Sequence, residues 1–128
     1  SEGDFENTNF SGNVDDLILA AQWLENNKIA PSLLVGHSLG GASVVHAGDV
    51  VGVGGHTFNL GQPFTKEDIM LLGKCARNPG LPSCSITHHK KKGDLVSGIP
   101  SLTGTTTRHD GSWWNPAKAH SMAGFDQY

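Results

Sequence analysis

Gly36-His37-Ser38-Leu39-Gly40 sets a serine between two glycines at G-x-S-x-G spacing. A serine hydroxyl is a weak nucleophile until a histidine takes its proton and a carboxylate orients that histidine and stabilises its charged form. Acyl transfer through a covalent intermediate is the chemistry this combination could perform. Seven histidines compete for the base. His37 lies inside the motif and His46 just beyond it, and both read as packing or polar-surface residues. His56 opens an apolar run, and His88-His89 precede Lys90-Lys91-Lys92, which reads as a solvated basic turn or, alternatively, as a patch steering anionic substrate or lipid. His109, an exposed loop residue beside Asp110, and His120 are the remaining candidates. Among the carboxylates, Asp94 ends a strand-like segment behind Gly93, and Asp110 is the second choice, with a turn residue before Gly111 as its ordinary reading. Capping accounts for Asp49 and Asp68.

The motif makes a steric demand on its surroundings. Its serine needs a sharp strand-to-helix turn, with glycines two residues before and two after so that strand and helix pass closely. Ser32 to Gly36 is a short apolar run suited to a strand buried on both faces, and Leu39 to Ala47 can form a small-residue helix stopped by Gly48. The helix start offers the Leu39 N–H to a developing oxyanion. Upstream, Val14, Leu17, Ile18, Ala21 and Leu24 recur at helical spacing, with Asn13 as N-cap and Asp15-Asp16 in the first turn. Downstream, His56–Leu60 reads as a second strand, Thr65 caps a helix through Leu72, and Ser85–His89 reads as a third strand. The rest is rich in glycine and proline and reads as loop. Strands and helices alternate, which defines an α/β class with a mostly parallel sheet.

The 128 residues make one domain, residues 1–128, with 37% hydrophobic and 16% charged residues and a net charge of −3. That balance gives no general attraction to nucleic acid. No run of about 20 apolar residues is present, so no transmembrane segment is expected. The residues from Ser1 lack signal-peptide character, leaving a cytoplasmic chain or a secreted one without its signal. Cys75 and Cys84 would pair only in an oxidising compartment. No phosphate-binding or dinucleotide fingerprint opens a helix, and no spacing defines a metal site, so neither cofactor nor metal is expected. Trp113-Trp114 could rim an acyl-chain site or be buried under a loop.

At Leu34-Val35-Gly36-His37-Ser38-Leu39-Gly40-Gly41-Ala42 the sequence resembles the α/β-hydrolase superfamily, and over residues 30–128 it is similar to class 3 (fungal-type) lipases. Thr57-Phe58-Asn59-Leu60-Gly61-Gln62-Pro63 looks like the strand after the elbow helix, with Asn59-Leu60 where the family usually has a second glycine. Lys92-Gly93-Asp94-Leu95-Val96 looks like the segment carrying the acid. Asn115 to Met122, with Tyr128 following, looks like the one carrying the histidine.

The resemblance implies the chain order Ser, Asp, His. It makes Ser38 the nucleophile, Asp94 the acid and His120 the base in preference to His109. Leu39 becomes an oxyanion donor, and Gly36 and Gly40 the elbow glycines. The implied activity is hydrolysis of carboxylic esters, acylglycerols or other acyl esters of lipids and small molecules. A thioester or peptide substrate, or a catalytically weak binding module, are the alternatives. Residues 1–5 resemble the tail of a loop after an earlier strand. A truncated hydrolase fold is therefore expected, with an open sheet edge through which two copies could pair.

Overall fold

The computed structural model describes residues 9–62, 65–112, 114–123 and 125. Pro63, Trp113, Tyr128 and the segment 1–5 considered above lie outside the described residues.

Helix α1 spans Phe10–Asn26, one turn longer at its start than the apolar repeat indicates. Its cap is Asn9, whose side chain accepts from the Gly12 N–H at 2.7 Å, and not Asn13. Phe10 explains the extension: its ring meets the His46 ring edge-on, 5.4 Å between centroids, so a tertiary contact carries the helix past its own periodicity. Asp15 and Asp16 consequently fall beyond the first turn.

Strand β1 is Leu34–His37, and helix α2 runs Leu39–Val51 before β2 at Gly55–Phe58. Gly48 does not stop α2. The helix ends at Gly52, whose φ of 80° is the left-handed conformation glycine adopts without cost. Gly48 instead serves packing, since a Cβ there would lie 3.0 Å from the Val53 carbonyl oxygen.

Helix α3 covers Lys66–Arg77. Asp68 accepts from the Thr65 backbone N–H at 2.7 Å, as a capping box requires, and is also bonded by His46. A disulfide between Cys75 and Cys84 fastens the end of α3 to a 3₁₀ turn at Pro82–Cys84. Asp49, in the last turn of α2, caps that 3₁₀ turn rather than its own helix, through the backbone N–H (2.8 Å) and hydroxyl (2.7 Å) of Ser83.

Strand β3 is Thr87–Lys91, β4 is Thr105–His109, and helix α4 is Pro116–His120. The four strands form one all-parallel sheet in the order β1-β2-β3-β4. With α2 and α3 crossing between strands, the architecture is α/β.

The core lies on one face of the sheet, where Leu34 and Ile86 meet Val44, Val45 and Ala47 of α2 and Leu71 of α3, with Val14, Leu17 and Ile18 of α1 outside them. Each fully buried valine or leucine contributes about 2 kcal/mol. The opposite face carries His56, His89 and His109 in a stack with centroids 5.1 and 5.3 Å apart. They hydrogen-bond to one another, and among the described residues no group of three or more such side chains is placed to hold a metal.

Two readings of the strands need correction. β1 is an edge strand with only one face covered: Leu34 is buried while Val35, pointing the other way, is 57% exposed. The lysine run is a solvated turn only at Lys92. Lys90 and Lys91 are strand residues, 1% and 6% exposed. Lys90 is satisfied by the Ile99 carbonyl at 2.7 Å and Lys91 by the carbonyls of Lys118 and Ala123. Burial pushes the pKa of both ammonium groups down. Among the described residues no helix is long and apolar enough to cross a membrane.

Candidate functional site

Ser38 occupies the single residue between the end of β1 and the start of α2, with φ 54° and ψ −125°. Such a backbone costs a non-glycine residue about 1–3 kcal/mol and persists only when its neighbours hold it. They do: the Ser38 N–H donates to the Phe58 carbonyl at 3.0 Å, and its carbonyl accepts from the N–H groups of Gly41 and Gly61, both at 3.0 Å.

The close approach of strand and helix falls on Gly36, where a Cβ would sit 2.4 Å from the Gly40 carbonyl oxygen and 2.7 Å from the Gly41 nitrogen. Gly40 departs from the motif's steric demand: a Cβ there would meet nothing within 4 Å. The second crowded position is Gly41, 3.0 Å from the Thr57 Cβ, because that residue of α2 faces the sheet.

Asp94 lies in the loop after β3, turned by Gly93 at φ 88°. Its side chain is fully buried. Oδ1 accepts from the Val96 N–H at 3.0 Å, and Oδ2 accepts from the Ser97 hydroxyl. Burial alone would raise the carboxyl pKa. The hydrogen bonds from Ser97, His120 and Val96 outweigh it and hold Asp94 below the ordinary carboxylate value.

His120 is the last residue of α4, a helix that starts on Pro116 and is capped by Asn115, which accepts from the Lys118 N–H at 3.1 Å. Its Nδ1 lies 2.9 Å from Asp94 Oδ2 and 3.1 Å from Oδ1, and its Nε2 lies 2.8 Å from Ser38 Oγ. An ionised carboxylate only accepts, so the imidazole proton is on Nδ1 and Nε2 accepts from the Ser38 hydroxyl.

Three residues separated by 56 and 26 positions thus meet in one hydrogen-bonded line, Ser38–His120–Asp94. His109 and Asp110 lie elsewhere. His109 is a half-buried strand residue, not an exposed loop one, and is bonded to His89 at 3.0 Å. Asp110 is exposed on the surface near Lys92.

Leu39, as the first residue of α2, has no carbonyl within the helix to receive its N–H. Gly61 borders the same space: a Cβ there would be 3.3 Å from Ser38 Oγ and 3.4 Å from the Leu39 nitrogen. Trp114 is 83% exposed, so the buried reading does not apply to it.

Sequence reasoning missed the supports of this line. Ser97, three residues after Asp94, is the kind of i+3 hydroxyl that bonds a turn carboxylate, a signal present in the sequence. His37 is neither a mere packing residue nor a surface one. Its Nε2–H donates to the His120 carbonyl at 2.7 Å, a contact across 83 residues that no local pattern announces. Against known proteins, the chain matches no family model and no curated protein sequence.

Proposed function

We propose that this chain is a serine hydrolase that cleaves carboxylic esters through an acyl-enzyme, its turn at Gly36–Gly41 acting as the nucleophile elbow of an α/β-hydrolase fold. The observation that carries the reading is the hydrogen-bonded Ser38–His120–Asp94 line with its buried acid. His120 Nε2 takes the hydroxyl proton as Ser38 Oγ bonds to the ester carbonyl carbon, and the carbonyl electrons move onto oxygen. The Leu39 N–H faces that oxyanion, and a donor of this kind contributes about 3 kcal/mol to the transition state. As the oxyanion collapses the C–O bond to the alcohol breaks, and His120 hands its proton to the leaving oxygen. Water, deprotonated by His120, then attacks the acyl-enzyme, and the proton returns to Ser38. Asp94 stays ionised and stabilises the imidazolium in both steps. Lipid acyl esters are the substrate class suggested by the resemblance to class 3 lipases.

The test is labelling with a fluorophosphonate probe alongside turnover of a soluble p-nitrophenyl ester. The wild type is expected to label and turn over, Ser38→Ala to do neither, and His120→Ala to label at least about 100-fold more slowly, with His109→Ala close to wild type. Labelling that persists in Ser38→Ala, or a folded wild type that neither labels nor hydrolyses, refutes the proposal.

A further inference from the structure

The segment carrying His120 is short. A five-residue helix has too few internal bonds to hold its own position, and its final carbonyls have no partners within the helix. Lys91 Nζ takes the carbonyl of Lys118, and those of Ala119 and His120 are both met by one buried side chain, Asn59. Asn59 follows β2 directly, is fully buried, and has a φ of 49°, a left-handed conformation that asparagine tolerates better than most residues. Its Nδ2 donates to the carbonyls of Ala119 and His120, both at 2.9 Å, and of Ser121 at 3.2 Å. Two amide protons face three acceptors, so one proton is shared. Its Oδ1 accepts from the Lys91 backbone N–H at 3.0 Å, which fixes which end of the amide is which. Its own N–H donates to the His89 carbonyl at 2.7 Å.

We propose that Asn59 is a positioning residue for His120. One carboxamide joins the last residue of β3, three positions before Asp94, to the end of α4, where His120 sits. The segments bearing the acid and the base are thereby referenced to the same rigid group. His37, next to Ser38, also holds the His120 carbonyl, so the imidazole is set in depth and rotation against both of its partners, Ser38 and Asp94. Nothing local would keep Nδ1 within reach of Asp94 while Nε2 stays within reach of Ser38. Asn59 supplies that constraint without touching substrate.

The kinetic part of this inference rests on the hydrolase reading, whereas the structural part does not. The test therefore pairs an activity measurement with a spectroscopic one. Asn59→Gly keeps the positive φ and removes the amide. Asn59→Asp keeps the shape and sets an oxygen against three carbonyls. The first readout is the downfield proton resonance of His120 Nδ1–H in its bond to Asp94, assigned by its disappearance in His120→Ala. The second is kcat and KM for a soluble p-nitrophenyl ester, per folded molecule counted by circular dichroism.

Both variants are expected to lose or broaden the resonance, and kcat is expected to fall about 100-fold with KM within about threefold of wild type. A resonance that stays sharp, with kcat per folded molecule within about threefold of wild type, overturns the proposal, and one variant that folds suffices for it. If the wild type shows the resonance but no turnover, and Asn59→Gly loses the resonance, the hydrolase reading fails and the positioning role stands.

Discussion

Replacing Asp94 by asparagine changes one atom and reverses the direction of the hydrogen bonds made at Oδ2. The Val96 N–H at 3.0 Å from Oδ1 needs an acceptor, so the amide oxygen of the variant takes that place and its nitrogen takes the place of Oδ2. That nitrogen then faces His120 Nδ1 at 2.9 Å as a donor. Nδ1 accepts from this nearer group in preference to donating to the amide oxygen at 3.1 Å, the imidazole proton moves to Nε2, and Nε2 points an N–H at the Ser38 hydroxyl instead of a lone pair. To act as a base, His120 would have to give up this bond and form an imidazolium beside a neutral amide. A wrong tautomer of this kind in a serine triad costs about 10⁴-fold in kcat, which is about 5.5 kcal/mol. The fold should tolerate the change, since shape and packing are kept. The assay is kcat for a soluble ester together with the phosphonate labelling rate, on protein whose unfolding curve matches wild type. A loss of less than about tenfold refutes the tautomer argument, because it would mean that Nδ1 still donates, to the amide oxygen 3.1 Å away. The wild-type acid limb gives a second check. Asp94 is held below the ordinary carboxylate value, so it is ionised wherever a histidine can act as base. The limb should therefore follow a single protonation.

Two further perturbations read the scaffold. Gly36→Ala should cost about 3 kcal/mol in denaturant unfolding, because its Cβ meets backbone at 2.4 Å, whereas Gly40→Ala, with open space, should cost no stability. Equal losses at the two positions would contradict the placement of the crowding. His88 is held neutral: burial, reinforced by Lys90 and His89 and only partly opposed by the Thr103 carbonyl, lowers its pKa from 6.5 to about 4. As pH falls through that interval the unfolded chain binds a proton that the folded chain refuses, so about 3 kcal/mol of stability is lost between pH 6.5 and 4 and none further below. Urea unfolding at pH 7 and 4.5 for wild type and His88→Gln measures it, and a His88 ring resonance titrating near 6.5 would rule it out.

What the residues disclose in advance depends on whether their reason is local. The Ser38 turn was legible because a strand meeting a helix at one residue imposes a short-range pattern, apolar run, glycine, serine, small residues. Even there the demand on Gly40 was misplaced by one position, since the side of α2 that meets the sheet is set by the helix's rotation and not by the motif. The order of Ser38, Asp94 and His120 came with the resemblance, and their hydrogen bonds are long-range facts. β4 escaped notice because Thr105–Arg108 are all exposed on an edge strand, with no apolar alternation to mark them. The lysines misled for the opposite reason. Charge normally predicts solvent, but a buried ammonium is tolerable where backbone carbonyls meet it, and those of Ile99, Lys118 and Ala123 come from segments 9 to 32 residues away. Lys91 and Asn59 belong to the same arrangement. The end of β3 and the residue after β2 turn polar side chains toward the carbonyls of the 118–123 segment, and at β3 a strand end written in lysines reads from sequence as a strand already finished, whereas Asn59 reads as one more strand residue. The missed polar residues are thus those that tie His120 to the sheet, and their burial is explained by the loop they hold.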